Sequence, residues 1–126
     1  MPDAADIQLL ASIIQGEAGV MGSAGMTAVA AVFVARLLSP HYPDTVATVA
    51  ESFYGRAMPT QKAAEIALHA LEQPKALIDK EGRYFYALSK QDVAKLKFPQ
   101  GQRTLKRTAT FELHLYDHWP EERQHP

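Results

Sequence analysis

The sequence predicts a mostly helical α+β chain, on three observations. Apolar residues recur at helical spacing over residues 7–14 and fill residues 26–38 almost completely; a third segment, residues 61–73, carries a stripe of small residues; and two later segments have strand composition. Asp3 or Asp6 can cap the first helix, in which Ile7, Leu9, Leu10, Ile13 and Ile14 share a face, and Gly16 marks its expected end. A glycine-rich loop, Gly19 to Gly25, is expected next. The second helix, Met26 to Leu38, has only Thr27 and Arg36 as polar residues, so it lacks a polar face and is expected to be the buried central helix.

Ser39-Pro40 ends that helix, and a turn at residues 41–44 lets Asp44 cap a short helix through Thr45 to Glu51. A loop from Ser52 to Pro59 carries two aromatic residues and an arginine. Thr60 caps the third long helix, Gln61 to Gln73, and Pro74 marks its expected end. The first strand is expected within Arg83 to Leu88, and Ser89-Lys-Gln-Asp92 reads as a capping box that opens a short helix to about Leu96. From Thr108 to Tyr116 the sequence alternates, with Phe111, Leu113 and Leu115 on one face and Thr110, Glu112 and His114 on the other, as a half-buried strand does. The charged, proline-flanked tail from Trp119 to Pro126 is expected to fray.

The composition fits one globular domain over residues 1–126, since roughly 100 to 200 residues per domain is usual. A formal charge of -1 argues against nucleic acid as a partner, because phosphate affinity rests on clustered cations. The absence of cysteine removes disulfides, thiol nucleophiles and thiolate metal sites together. The longest apolar stretch, Met26 to Leu38 with Arg36 inside it, is well short of the ~20 residues a membrane-spanning helix requires, so no membrane insertion is expected. The first residues, with two acids and no base, do not have the pattern of a secretory signal.

The most informative residue is Glu17. At about 100° per residue, Leu10 lies about 20° from it, Ile13 about 40° on the other side and Ile14 about 60° away, so the carboxylate projects from the apolar side of the first helix. Desolvation there would favour the protonated form, as a general acid requires. The alternative is a glutamate at a helix end that simply pairs with a base such as Arg36. The glycine-rich segment beyond it, with Ser23, lacks a nucleotide-loop pattern.

Sugar rings offer apolar faces, so a glycan groove would use aromatics: Phe53, Tyr54 and Arg56 in the loop and Tyr84 and Tyr86 on the strand are the candidates, with Phe85 and one of the two tyrosines assigned to the core. No His-Glu-x-x-His occurs, and His69, His114, Asp117 and His118 are read as surface polar residues. No metal or cofactor is expected, and no serine or cysteine triad has support.

These residues resemble a known family. Glu17-Ala18, Gly25 eight positions on, the run Ala28-Val-Ala-Ala-Val32, Arg36, Ser39-Pro40 and Tyr42-Pro-Asp-Thr-Val46 are similar, in order and spacing, to motifs of the spore-cortex-lytic, cell wall hydrolase family. The likeness covers about residues 7–50 and extends loosely through Phe53 and the helix from Thr60. It implies a lysozyme-like fold with a small antiparallel sheet, acting on the glycan strands of peptidoglycan as a lytic transglycosylase or muramidase. The family's essential glutamate falls on Glu17 and its arginine on Arg36. Two family residues are replaced: Met21 and Gly22 stand near the place of a second glutamate, and Ala35 stands for an asparagine.

Mechanism and resemblance agree. Two-carboxylate hydrolysis would need a partner for Glu17, for which Asp44 and Glu51 are available. A lytic transglycosylase needs only one, which protonates the leaving oxygen and then acts as base. The alternative is a domain of this fold that binds peptidoglycan or a protein without cleaving, as part of a phage or secretion particle. Peptidoglycan lies outside the cytoplasm, so action on it is expected to depend on a holin, a virion or a secretion apparatus.

Overall fold

The computed structural model describes residues 2–42 and 44–120. Helix α1, Ala4–Ala18, starts at Asp3, whose carboxylate accepts from the Ala5 N–H at 2.9 Å. It does not stop at Gly16. It runs on to Ala18 and passes through one 3-10 turn, Gly19–Met21, into α2, Gly22–Leu38. The expected glycine-rich loop is therefore mostly helical. Only Gly22, at φ 73°, needs a conformation that favours glycine, and it makes the break between the two helices.

Helix α2 is the central element, as its composition predicts, with 11 of its 17 residues buried. It packs against α1, against α3 (Val46–Ala50), and against α4 (Gln61–Glu72) and α5 (Pro74–Glu81). Residues 4–38 are apolar enough by length and composition to cross a membrane, but 67% of their most apolar window is buried inside the fold. That burial accounts for their composition.

Thr45, not Asp44, caps α3, its hydroxyl accepting from the Thr48 N–H at 3.2 Å. Thr60 caps α4 through Ala63 as expected. Pro74 does not end the helical region. It occupies the first turn of α5, where its missing N–H costs nothing because that donor has no intrahelical partner.

Three strands form an antiparallel sheet in the order β1-β3-β2: β1 is Tyr86–Ser89, β2 is Arg103–Lys106 and β3 is Glu112–Tyr116. Tyr86 pairs with Tyr116 and Arg103 with Leu115. Helix α6, Lys90–Leu96, follows β1 and is capped by Ser89, as the capping-box pattern predicts. Strand β2 has no counterpart in the sequence reading. The expected strand from Thr108 is shortened because Thr108 takes the N–H groups of Thr110 and Phe111 on its hydroxyl and turns the chain. Leu113 and Leu115 are buried as the alternation implies, whereas Phe111 is exposed.

His114 is not a surface residue. It is 4% exposed, because the segment leading into β2 crosses the outer face of β3. There the Gly101 N–H donates to His114 Nδ1 at 3.1 Å, which fixes the proton on Nε2, and Nε2 donates to Glu112 at 3.0 Å. Trp119, the first residue of the tail expected to fray, is held in place. That ring packs on Tyr86 and Phe98, and residues 121–126 lie outside the described residues.

Desolvation raises the Glu112 pKa, but the hydrogen bond from His114 and the charges of Lys106 and Lys90 outweigh it and hold the carboxyl below its ordinary value of 4.5. A depressed carboxyl stabilises the fold above its ordinary value, and this contribution is lost as the pH falls through the folded value. Glu112→Gln is therefore expected to be less stable than the parent at pH 7, with the difference shrinking below about pH 4; urea midpoints at the two pH values check this, and an unchanging difference would contradict it.

Candidate active site

Glu17 lies on the last turn of α1, and what holds it is a contact between two glycines. A Cβ on Gly16 would overlap the backbone nitrogen of Arg56 and lie 2.6 Å from the carbonyl carbon of Gly55; a Cβ on Gly55 would lie 2.9 Å from both the Glu17 carboxyl carbon and the Glu17 nitrogen. The loop at residues 52–57 thus packs backbone to backbone on α1. The Ala57 N–H donates to the Ser12 carbonyl at 3.1 Å, and the Gly55 N–H donates to Glu17 Oε1 at 2.7 Å. Oε2 has no hydrogen-bond partner among the described residues.

Arg56 staples this loop. Its Nη1 donates to the carbonyls of Phe53 and Gly55, both at 2.8 Å, and its Nη2 to that of Ala50 at 2.9 Å. Three of its five N–H donors are held by these carbonyls, and it does not line the cavity beside Glu17.

That cavity, of about 510 Å³, has two walls. The helical wall holds Glu17, Val29, Arg36, Phe53 and Tyr54; the sheet wall holds Tyr86, Leu88, Asp92 and Trp119. Volumes of roughly 300–1,000 Å³ are usual for ligand sites. A second cavity of about 350 Å³, between α2, α4 and α5, has His69 and Lys80 on its lining but no carboxylate.

Arg36 joins the two walls. Only 7% exposed, it donates from Nε to the Phe85 carbonyl at 2.7 Å and from Nη1 to the Ser52 hydroxyl at 2.8 Å. Its guanidinium carbon lies 4.6 Å from the Phe53 ring centre, 5.1 Å from that of Tyr86 and 5.4 Å from that of Tyr42. Burial pulls its pKa down, opposed by Tyr42, Tyr86 and Glu17. The two tyrosines meet at their hydroxyls, 3.2 Å apart. No ion pair joins Arg36 to Glu17, so the helix-end pairing is not formed.

Five of the eight candidate residues meet in one cavity: Glu17, Arg36, Phe53, Tyr54 and Tyr86. Phe53 is buried against Phe33 and presents only part of its ring, whereas Tyr54 is 94% exposed at the rim. Ser23 is exposed and outside the cavity, and Tyr84 packs on the core. The expected burial of Glu17 is corrected. The angular argument places its direction well, but the loop at residues 52–57 covers only one side of the end of α1, and the residue is exposed. Asp44 and Glu51 do not line the cavity; Asp92 does. Tyr42, Asp92 and Trp119 were missed, although the lone tryptophan was a visible signal.

No protein-family model matches the chain, and no curated protein does. Among solved structures, the catalytic domain of the germination-specific lytic transglycosylase SleB from Bacillus anthracis superimposes with a TM-score of 0.63 at 22% identity, over 90% of this chain and 96% of that one. The catalytic domain of the Bacillus cereus SleB protein gives 0.61 at 23%, over 90% and 92%. This chain has the SleB catalytic-domain fold. The fold agrees with the resemblance carried by residues 7–50 and extends it over the helices and sheet beyond them.

In the SleB-like fold the glycine contact and the arginine bridge give opposed expectations from ordinary helix behaviour. Gly→Ala within a helix normally stabilises by roughly 0.5–1 kcal/mol. Gly16→Ala is instead expected to destabilise by about 1–3 kcal/mol through overlap with Arg56; a raised urea midpoint would contradict the contact. Arg36→Lys, whose point charge cannot fork between Phe85 and Ser52, is expected to cost about 1–3 kcal/mol by the same measurement.

Proposed function

We propose that the chain is a peptidoglycan-cleaving glycosidase of the lytic transglycosylase type, with Glu17 as its single acid and base. The observation that carries this reading is the Glu17 carboxylate set into a two-walled cavity, with one oxygen held by the Gly55 N–H. The shared fold with a lytic transglycosylase catalytic domain supports it.

In the proposed reaction, Glu17 Oε2 donates its proton to the glycosidic oxygen between muramic acid and glucosamine. The bond from that oxygen to the anomeric carbon breaks, and charge develops on the sugar ring. The muramic acid 6-hydroxyl attacks the same carbon and gives its proton to the Glu17 carboxylate, which restores the acid and leaves a 1,6-anhydro product. Water is not consumed, so no second carboxylate is required. The Gly55 N–H holds the carboxylate in one direction for both transfers. The first step needs the protonated form. A glycan strand lying across the cavity would exclude water from Glu17 during the transfer.

Tyr54 at the rim offers a ring face to a sugar, and Arg36 acts from behind by holding the walls together. The positions that depart from the family motif, Met21 and Ala35, are buried in the core and do not enter the cavity. Reaching the cell wall by way of a holin, a virion or a secretion apparatus is part of this proposal, and neighbouring lysis or tail genes would support it.

Glu17→Gln is expected to keep the parent's circular dichroism and urea midpoint and to lose muropeptide release by at least about 100-fold, the usual scale of one general acid. Mass spectrometry of the parent's digest is expected to show anhydro-muramic ends. A hydrolysed end would move the reaction to the muramidase class, and sedimentation with sacculi without release of fragments would favour the binding-only domain.

A further inference from the structure

The proton-transfer chemistry uses the helical wall, and it leaves the far part of the sheet wall without a role. There the cavity is lined by Leu88 of β1, by Asp92 and Leu96 of α6, by Leu113 of β3 and by Trp119. Trp119 is half-buried and held by two rings, Tyr86 at 5.2 Å in an edge contact and Phe98 at 5.0 Å and perpendicular.

Its support is fixed in turn. The Phe98 N–H donates to the Val93 carbonyl at 3.0 Å, the Tyr116 hydroxyl donates to the Pro99 carbonyl at 2.7 Å, and the Gly101 N–H is tied to the buried His114. An indole on such a frame loses little conformational freedom when a ligand meets it. Beside it, Asp92 gives its backbone N–H to the Ser89 cap, while its carboxylate is exposed and makes no ion pair among the described residues.

The charges restrict what fits. Among the described residues the cavity's carboxylates are Glu17 and Asp92, and its one cation, Arg36, is buried against three rings and two acceptors. An anionic ligand would meet repulsion with no accessible cation among the described residues of the lining. A neutral ring with an apolar face and O–H or N–H donors meets complementary groups on both counts. We infer that Trp119 and Asp92 form a subsite for an N-acetylhexosamine unit, the indole packing on the sugar's apolar face or acetyl methyl and the Asp92 carboxylate accepting from its hydroxyl or amide N–H. This rests on the glycan-cleaving reading and adds a second recognition point on the wall opposite Glu17.

Trp119 is the only tryptophan of the chain, so its fluorescence reports this subsite directly. Titration of the full-chain Glu17→Gln variant with chitotriose, a neutral trimer of N-acetylglucosamine, is expected to give a saturable change in tryptophan emission. Asp92→Ala in the same background is expected to raise the dissociation constant about tenfold, and Trp119→Phe, which keeps an aromatic contact to Phe98, is expected to weaken binding measured by calorimetry. Calorimetric binding with unchanged emission and no effect of Asp92→Ala would overturn the subsite and leave the glycan reading standing. Failure of chitotriose to bind while the parent chain still releases fragments from sacculi would also overturn the subsite alone. Failure of both binding and release would overturn the functional reading and the subsite together.

Discussion

The buried guanidinium of Arg36 is the constraint on which the rest of the molecule depends. Helix α2 is apolar on all sides, so a charge near its end must be compensated inside the fold. Its compensation comes from both parts of the structure at once: the Phe85 carbonyl at the entry to β1, the Ser52 hydroxyl at the end of the α3 region, and three ring faces. The sheet contributes little of the core by itself. Arg36 fixes where β1 lies relative to the helices, and so sets the separation of the two walls. The same residue stabilises the fold and shapes the cavity, without needing to touch a ligand.

The second constraint works by omission. Gly16 and Gly55 have no side chains, and this lets a loop press its backbone against the end of α1 and aim an N–H at Glu17. Arg56 keeps the loop in that shape by occupying two of its carbonyls and tying it to the Ala50 carbonyl at the end of α3. A carboxylate on a frayed helix end would sample many rotamers. Here one oxygen is fixed, and the other is left toward the cavity.

The helices and the capping boxes were legible in the sequence because they depend on local pattern: Asp3, Thr60 and Ser89 cap where short-range chemistry says they should. What was not legible has tertiary causes. Gly16 reads as a helix end by propensity, but its absent side chain serves a loop forty residues away. Pro74 reads as a stop, yet the first turn of a new helix accepts it. Strand β2 spans only four residues without alternation, and exists because β3 offers it an edge. His114 lies on the polar face of an alternating strand and is buried because the segment around Gly101 covers that face. In the site, Glu17 and Arg36 were found from helix position and motif. Trp119 and Asp92 were not, since only the folded chain brings the end of β3 beside α6.

The exposure of Glu17 changes how its chemistry has to be understood. The sequence placed it on the apolar side and expected the protein to supply the desolvation; in the fold, that side opens onto the cavity. The protein supplies direction, through Gly55, and a fixed distance between walls, through Arg36. Exclusion of water is then left to the substrate: a glycan strand bridging Tyr54 at one rim and the sheet wall at the other would cover the carboxylate only when correctly seated. On the proposed reading, a free oligosaccharide too short to bridge the walls would leave Glu17 open to water, and so bind without reacting. Under the proposed reaction, tying the exclusion of water to occupancy in this way would make cleavage depend on the length of strand engaged, which a permanently buried acid would not do.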